Sequence, residues 1–223
     1  MSNNLTNEKS ENATSAEAFR LRAEAEPTTS LLDCQAWLEE IKRQAQIKPP
    51  EHEVELGPYF RENAPYRAKM SAPYETGTTV VIRGRVWSYE DKTPVPATLD
   101  VWHADHRGKY DNEEGHSTNK YSFKNRARVR CDEHGYYEIE TILPGPYSRG
   151  STVHAAHIHF RVSFIGHRDC VTQLLFRGDP HIEKDPFREY SVIIDLTEVE
   201  RNGQKYKEGI FDIVLKVIPE PAN

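Results

Sequence analysis

The segment HIHFRVSFI, residues 157–165, carries the alternation of apolar and polar residues that decides the fold class. In an extended chain Ile158 and Phe160 lie on one side, whereas His157 and His159 lie on the other. This pattern predicts a β-strand with one apolar face. Two histidines on one face of a strand are typical either of two ligands for one metal ion or of a polar, hydrogen-bonded pair. The segment alone leaves both interpretations open.

Segments with strand-like periodicity recur before and after this one, and turn-forming residues separate them. In TTVVIRGRVWS (78–88), Val80 and Ile82 alternate with Val81 and Arg83. Several short strands with turn signals and little helix predict an all-β fold, a β-sandwich of short mixed strands. The turns include DEHG (132–135) and LPGPYSRG (143–150), and the other strand candidates are ATLDVWH (97–103), ARVRC (127–131), YYEIETI (136–142), VTQLLF (171–176), YSVIIDL (190–196) and FDIVLKVI (211–218).

The chain before this β-region divides into two parts. Residues 1–27 contain few large apolar residues, and we expect a flexible tail because such a segment buries too little surface to stay ordered. Residues 28–56 contain apolar residues at alternating three- and four-residue steps, which predicts a helical arm that packs on a core or on a dimer partner. We expect this arm to contribute to a homodimer contact and residues 57–223 to form the β-sandwich domain. The apolar stripe consists of Leu31, Cys34, Leu38, Ile41 and Ala45.

The composition excludes several classes of protein. The 223 residues include 29 Lys+Arg and 35 Asp+Glu, a formal net charge of −6 that disfavours binding to nucleic acid or to an anionic membrane. No apolar run approaches the ~20 residues that span a bilayer, and the first residues lack a signal-peptide pattern, so we expect a cytoplasmic protein. Three widely separated Cys argue against a disulfide framework and a thiolate zinc site.

Two tyrosines stand at turns next to predicted strands. Tyr110 follows a glycine turn in WHADHRGKY (102–110), and Tyr147 ends the LPGPY segment (143–147). A tyrosine after a turn is commonly structural, with a packed ring and a hydrated hydroxyl group. A phenolate oxygen is also a hard, anionic ligand that suits ferric iron, although binding must remove a proton whose ordinary pKa is about 10.

An ordered set of motifs resembles the intradiol ring-cleavage dioxygenases, which include catechol 1,2-, hydroxyquinol 1,2- and protocatechuate 3,4-dioxygenases. The motifs are GPYF (57–60), LDVWHADHRGKY (99–110), DEHGYYEIETILPGPY (132–147), AHIHF (156–160) and TQLLFRGDP (172–180). The resemblance implies a β-sandwich that holds non-haem Fe(III) through two tyrosines and two histidines. By motif position the ligands are Tyr110, Tyr147, His157 and His159.

The resemblance also implies roles for these residues during ring cleavage. Fe(III) binds a catechol through both oxygens, and the activated ring reacts with O₂ to give a muconate-type diacid. Tyr147 is then the ligand that leaves the iron and accepts a substrate proton. Gln173 is expected near the bound substrate, or, alternatively, as a strand-edge amide bonded to backbone. Tyr59, Phe60 and Tyr66 are expected to line the substrate mouth, or to pack a loop on the sheet.

One position departs from the family pattern. The family usually has Arg-Pro-Ala-His-Ile-His where this chain has HAAHIH (154–159), so His154 stands in place of an arginine. Imidazole titrates near neutrality whereas guanidinium does not, so His154 is a weaker source of fixed charge. Arg149 or Arg161 is a candidate replacement, and Arg161 is favoured because it shares a strand face with His157 and His159.

Three functions are compatible with these observations. The leading hypothesis is a ferric intradiol dioxygenase that acts with O₂ on a di- or trihydroxylated aromatic ring, with or without further substituents. The second is a metal-dependent lyase or isomerase on a phenolic substrate without ring cleavage, because the usual arginine is absent. The third is a non-catalytic β-sandwich binding module, since fold does not fix function.

Overall fold

The computed structural model describes residues 55–113 and 122–219, which form β-strands connected by loops. The predicted tail (1–27) and nearly all of the predicted arm (28–56) lie outside the described residues. Within these ranges the only helical segments are two single 3₁₀ turns, Ile182–Lys184 and Arg188–Tyr190, and no helix is long and apolar enough to cross a membrane. The strands are β1 (Thr79–Ser88), β2 (Thr98–His103), β3 (Arg126–Arg130), β4 (Tyr136–Ile142), β5 (Tyr147–Arg149), β6 (Thr152–His154), β7 (His157–Ser163), β8 (Cys170–Phe176), β9 (Ser191–Ile194), β10 (Thr197–Arg201), β11 (Gln204–Ile210) and β12 (Ile213–Leu215).

The strands form two five-stranded sheets and a separate hairpin. In the first sheet β1 pairs with β4 on one edge and, in parallel, with β11 and then β12 on the other, while β10 extends the sheet beyond β11. The second sheet has the order β3-β2-β7-β8-β9, so β7 is its central strand. Strands β5 and β6 pair only with each other.

The hydrophobic core lies between the two sheets. Phe160 on β7 contacts Tyr137 on β4, with ring centroids 6.3 Å apart, and Phe211, with centroids 5.0 Å apart. Val80, Ile82 and other side chains of the first sheet join the same buried cluster as Val101 and Leu174 of the second. Burial of each such side chain contributes about 1.5–3 kcal/mol. The predicted β-sandwich is therefore confirmed.

A break in strand pairing lies opposite Gly84, in the middle of β1. A Cβ atom at Gly84 would lie only 2.6 Å from the carbonyl carbon of Phe211, so glycine is required for this close approach. The neighbouring Asp212 replaces the missing backbone acceptor, because its Oδ1 accepts a hydrogen bond of 2.8 Å from the Arg85 N–H. Burial raises the pKa of the Asp212 carboxyl to about 7.

The eight strands predicted from periodicity are present as β1, β2, β3, β4, β7, β8, β9 and β12. β9 and β12 are shorter than predicted, because 190–196 and 211–218 form strands only over Ser191–Ile194 and Ile213–Leu215. The prediction that 143–150 is only a turn was wrong, because Tyr147–Arg149 form β5 and pair with Thr152–His154. Three-residue strands are too short to show an alternation. Strands β10 and β11 were not predicted either, although Asn202–Gly203 between them, both at positive φ, is a strong hairpin signal.

Candidate metal centre

The two histidines of the HxH segment lie at the middle of the second sheet, on the face opposite the core. Ile158 and Phe160 are fully buried in the core cluster, so the alternation along β7 directs His157 and His159 away from it. In the strand register Trp102 on β2 and Gln173 on β8 lie on either side of His159. The Trp102 indole is stacked on the His159 ring, with centroids 4.8 Å apart and an angle of 5° between the planes.

The two imidazoles face each other through their Nε2 atoms. His157 Nδ1–H donates to the carbonyl oxygen of Ala155 at 2.6 Å, which leaves Nε2 of the neutral ring as an acceptor. The Nε2 atoms of His157 and His159 are 3.1 Å apart. Nδ1 of His159 is buried and has no hydrogen-bond partner among the described residues.

Tyr110 reaches the same point from the loop after β2. The Asp105 carboxylate accepts hydrogen bonds from the backbone N–H groups of Arg107 and Lys109, at 2.8 and 3.0 Å, and so shapes the turn before Tyr110. The Tyr110 hydroxyl lies 3.5 Å from Nε2 of His157. Tyr59 is stacked on the other side, with ring centroids 4.2 Å apart, so the Tyr110 ring is fully buried.

A buried guanidinium supports the Tyr110 loop. Arg126 is 1% exposed and donates from Nε to Asp111 Oδ1 at 2.7 Å and from Nη2 to Asn112 Oδ1 at 2.8 Å. Its Nη1 donates to the carbonyl oxygen of Tyr59 at 2.5 Å. One side chain therefore connects the residues that follow Tyr110 with the residue whose ring is stacked on Tyr110.

Tyr147 approaches from the β5–β6 hairpin. Its ring centroid lies 5.7 Å from that of Tyr110 and 5.5 Å from that of His157. The loops that carry the two tyrosines are in backbone contact, because a Cβ added at Gly108 would lie 2.9 Å from the carbonyl carbon of Pro146. A Cβ at Gly145 would lie 2.8 Å from the carbonyl carbon of His106. Both glycines are therefore required for the close packing of the two loops.

Burial decides the protonation of all four side chains. It lowers the pKa of His157, and it lowers the pKa of His159 further, with the charge of His157 acting in the same direction. Burial raises the pKa of Tyr110 well above 10, and the charge of Tyr147 adds to this, whereas Arg126 opposes it. Burial, followed by the charge of Tyr59, raises the pKa of Tyr147 to about 12. The imidazoles are therefore neutral and the phenols protonated near pH 7.

These donors fit a trivalent hard cation. Bonds of about 2.1 Å at angles of 90–120° place two donor atoms about 3.0–3.6 Å apart, which matches the two separations measured from His157 Nε2. Neutral imidazoles offer lone pairs at once, and the two phenols offer anionic oxygens when a cation displaces their protons. Two phenolates then offset most of the charge of Fe(III) in a buried position.

Comparisons with known proteins identify the family. A family model described as "Dioxygenase" matches residues 55–217. Chlorocatechol 1,2-dioxygenase from a Pseudomonas species is 31% identical over 180 residues, 73% of this chain and 70% of that protein. The chain belongs to the intradiol ring-cleavage dioxygenases. This family of oxidoreductases also includes catechol 1,2-dioxygenase 2 of Acinetobacter lwoffii, which is 32% identical over 58% of this chain and 52% of its own length.

The fold of this family member also resembles that of solved dioxygenases. Catechol 1,2-dioxygenase from Acinetobacter sp. ADP1, inhibited by bound mercury, superimposes with a TM-score of 0.68 at 23% identity, over 94% of this chain and 81% of that chain. This likeness bears on the fold alone. The chain spans about half of the Acinetobacter lwoffii enzyme and about two thirds of the Pseudomonas enzyme.

His154, the departure from the family pattern, is packed against a proposed ligand. It lies opposite Tyr147 in the β5–β6 hairpin, and its ring is stacked on Tyr147 with centroids 4.7 Å apart. The Phe187 ring lies on the other side of His154, at 5.6 Å. His154 Nδ1 is 3.8 Å from the Asp185 carboxylate, which is longer than a hydrogen bond. His154 therefore fills a three-ring stack at the edge of the donor cluster.

Of the other predicted site residues, some pack beside the four donors of this family member and others make contacts elsewhere. Gln173 is buried beside His159, and its Oε1 has no hydrogen-bond partner in the described part of the chain. Phe60 packs edge-on against Trp102 at 4.9 Å. Arg161 donates to Asp169 at 2.8 and 2.9 Å, and Tyr66 is 65% exposed and lies against Arg128. Among the described residues no hydrogen bond or ring contact joins Arg161 or Tyr66 to the four donors, although the Arg161 guanidinium lies 5.9 Å from the centre of the Phe60 ring.

Sequence reasoning missed several residues that shape the site. Trp102, Arg126 and Phe187 contact predicted site residues, but each reaches them only through sheet register or loop packing. A signal was present for Trp102, because it shares the predicted β2 segment with His103 and a large aromatic residue next to a metal-binding strand is a packing candidate. No local signal identifies Arg126 as the partner of Asp111.

Proposed function

We propose that the protein is a non-haem Fe(III) intradiol dioxygenase that inserts O₂ into a catechol-type ring, di- or trihydroxylated and open to substitution, to give a muconate-type diacid. The observation that carries this proposal is that the Tyr110 hydroxyl and His159 Nε2 lie 3.5 and 3.1 Å from Nε2 of His157, with the Tyr147 ring beside them. The relatives named above are catechol and chlorocatechol 1,2-dioxygenases, which supports a catechol-type substrate.

Bound at these four donors, Fe(III) would act as a Lewis acid that binds both oxygens of a catechol and makes the ring reactive towards O₂. The two histidines would remain fixed donors, because β7 is paired along both edges. Tyr147 is half-buried, and its high pKa makes its phenolate a strong base. Tyr147 would therefore accept the proton of a substrate hydroxyl group, as the more accessible of the two phenols.

The residues around the donors would orient the substrate ring and exclude water. Tyr59 and Phe60 provide aromatic surface next to Tyr110 and Trp102. The unpartnered Oε1 of Gln173 is an acceptor for a substrate hydroxyl group, since a buried amide oxygen without a donor is costly. We also propose that Tyr66 contributes to substrate binding and Arg161 to catalysis, since the Arg161 guanidinium lies 5.9 Å from the centre of the Phe60 ring.

The remaining parts of the proposal concern the whole protein. We propose a cytoplasmic homodimer in which residues 28–56 contribute to the contact and residues 57–223 form the catalytic domain. Gel filtration with light scattering, on the full chain and on a chain that begins at residue 57, measures the contribution of the arm. A dimer that persists unchanged without residues 1–56 contradicts it.

The experiment that tests the metal centre uses colour and oxygen uptake. Iron-loaded protein should show a visible tyrosinate-to-Fe(III) charge-transfer band and should consume O₂ with a panel of catechols. Tyr110→Phe and Tyr147→Phe should each shift or bleach the band. Tyr206→Phe is the matched control, because Tyr206 lies on β11 and donates to Glu208 at 3.1 Å. A protein that stays colourless after iron loading under air contradicts the two-tyrosine ferric site.

The structure also favours one alternative, a metal-dependent lyase or isomerase on a phenolic substrate. The favouring observation is that His154 is occupied in a ring stack and that Arg161 is paired with Asp169, so neither places a fixed cation beside the donors. Arg149 is exposed on the same hairpin as Tyr147, and its charge only partly opposes the burial that raises the pKa of Tyr147. A coloured, iron-loaded protein that binds catechols without O₂ uptake would favour the alternative.

A further inference from the structure

Two aspartates from the segment after β8 bind two consecutive backbone N–H groups just before His157. The Asp185 Oδ2 atom accepts a hydrogen bond from the Ala155 N–H at 2.7 Å, and its Oδ1 accepts one from Phe187 at 2.8 Å. The Asp179 Oδ2 atom accepts a hydrogen bond from the Ala156 N–H at 2.8 Å. Asp179 Oδ1 accepts one from the N–H of His181, also at 2.8 Å. Both carboxylates therefore use both oxygens on backbone donors.

The two contacts differ in which peptide group they reach. The N–H of Ala156 and the carbonyl group of Ala155 belong to one peptide unit, and that carbonyl accepts the Nδ1–H of His157 at 2.6 Å. A continuous hydrogen-bond chain therefore runs from the Asp179 carboxylate, through this peptide group, to the imidazole. Asp185 instead binds the preceding peptide unit, whose carbonyl belongs to His154.

Hydrogen bonds in a chain polarise one another, so a carboxylate on the N–H side of a peptide makes its carbonyl a stronger acceptor. A stronger acceptor at Nδ1–H fixes the tautomer and the ring orientation and increases the basicity of Nε2. The 2.6 Å distance between His157 Nδ1 and the Ala155 oxygen is at the short end of N–H···O bonds. That short contact is expected when the peptide is polarised from its other end.

We propose that Asp179 is a positioning residue for the metal centre, which sets the orientation and donor strength of His157 through the 155–156 peptide group. This inference rests on the proposed function insofar as His157 is a metal ligand. None of the hydrogen bonds between Asp179 and His157 involves the metal, however, so this relay of hydrogen bonds from Asp179 to His157 exists in the metal-free protein.

Asp185 provides a matched control. Its carboxylate also lies near His157 and, like that of Asp179, raises the pKa of the imidazole through its charge. Asp179→Asn and Asp185→Asn therefore each remove one negative charge near His157, and each weakens a hydrogen bond to one backbone N–H group. Only Asp179→Asn weakens a hydrogen bond to the peptide group whose carbonyl oxygen accepts the Nδ1–H of His157.

The first experiment uses the metal-free full chain with ¹⁵N-labelled histidine. The Nδ1–H proton of His157, assigned by its loss in His157→Gln, should give a downfield NMR signal that exchanges slowly with water. Asp179→Asn should move this signal upfield and speed its exchange, whereas Asp185→Asn should leave it close to the wild-type position. Equal shifts in the two variants, or no shift in Asp179→Asn, would overturn the proposal. Thermal unfolding of each metal-free variant shows that the chain is folded.

The second experiment measures Fe(III) binding by competition with a chelator. Asp179→Asn should lower the affinity about tenfold or more, the effect expected when the partner of a ligating histidine is weakened. Its visible band should shift to longer wavelength, because a poorer histidine donor leaves the iron more electron-accepting. Asp185→Asn should lose clearly less affinity, and similar losses would show that the aspartates only hold the segment. Failure of the wild-type protein to bind Fe(III) would refute the proposed function, while the metal-free NMR result would still decide the relay.

Discussion

Replacement of Gly108 by alanine is expected to separate the two loops that carry Tyr110 and Tyr147. Gly108 has φ of +77°, and its added Cβ would lie 2.9 Å from the carbonyl carbon of Pro146 and 3.1 Å from Cα of Tyr147. Ordinary contacts of this kind are 3.4–4 Å, and the carbonyl oxygen of Pro146 lies closer still to the added Cβ, so the loops must move apart by more than about 1 Å. The left-handed backbone costs about 1–2 kcal/mol for an L-residue, and overpacking adds about 1–3 kcal/mol.

Gly203→Ala is the matched control for this variant. Gly203 has φ of +74°, and no described atom lies within 4 Å of an added Cβ, so this substitution has the backbone cost without the steric one. Urea unfolding of the metal-free proteins, at equal m-values, should therefore show Gly108→Ala to be less stable than Gly203→Ala by about 1–3 kcal/mol. Fe(III) affinity should fall for Gly108→Ala alone. Equal stabilities together with equal Fe(III) affinities would refute the steric argument.

Three other substitutions test the electrostatics and packing of the fold. The folded pKa of Asp212, about 7, lies above its ordinary value of 3.8, so the protonated carboxyl stabilises the protein at low pH and this stability is lost as pH rises towards 7. Between pH 4 and pH 8, the stability of Asp212→Asn relative to wild type should therefore increase by roughly 2–4 kcal/mol, and a pH-independent difference would contradict the shift. Arg126→Met should cost about 3 kcal/mol in urea unfolding, because it leaves the buried Asp111 paired with Arg61 alone among the described cations. Arg177→Met, which breaks an exposed pair with Asp195, should cost less than about 1 kcal/mol, and equal costs would refute this. His154→Ala should lower the free energy of unfolding by roughly 1–3 kcal/mol, because it removes the two ring contacts, whereas His154→Phe should keep most of that stability. A larger loss in His154→Phe than in His154→Ala would show that polar contacts of His154 dominate.

The strands of the sandwich were predictable because their alternation is local. Val80 and Ile82, or Ile158 and Phe160, show which side of the strand is buried without reference to any partner. The hairpin β5–β6 was not predictable in this way, since each strand has three residues and its pairing depends on the turn after Arg149. Charged residues on both faces concealed β10, although the Asn202–Gly203 turn marked its end.

The candidate site was predicted in part. Motif order and strand parity identified Tyr110, Tyr147, His157 and His159, and the structure brings these side chains together. Parity also favoured Arg161 as the replacement cation, but parity fixes only the face of a strand and not the partner of a long side chain. The neighbouring Asp169 binds the guanidinium, and the role of Arg161 stays a prediction. The contacts of Arg126 and Asp179 depend on loops that meet only in the folded chain, so sequence spacing does not reveal them.

The donor set is divided between two parts of the fold that differ in hydrogen-bond support. His157 and His159 lie on a strand with neighbours on both edges, whereas Tyr147 lies on an isolated hairpin of two three-residue strands. Local unfolding should therefore release the hairpin long before the central strand, and its amide hydrogens should exchange faster. A molecule that enters the centre and displaces one donor would therefore displace Tyr147, the donor on the hairpin that opens most easily. His154 lies on the same hairpin as Tyr147, whereas Phe187 does not, so the local opening that frees the phenol also separates His154 from Phe187 and exposes that ring further.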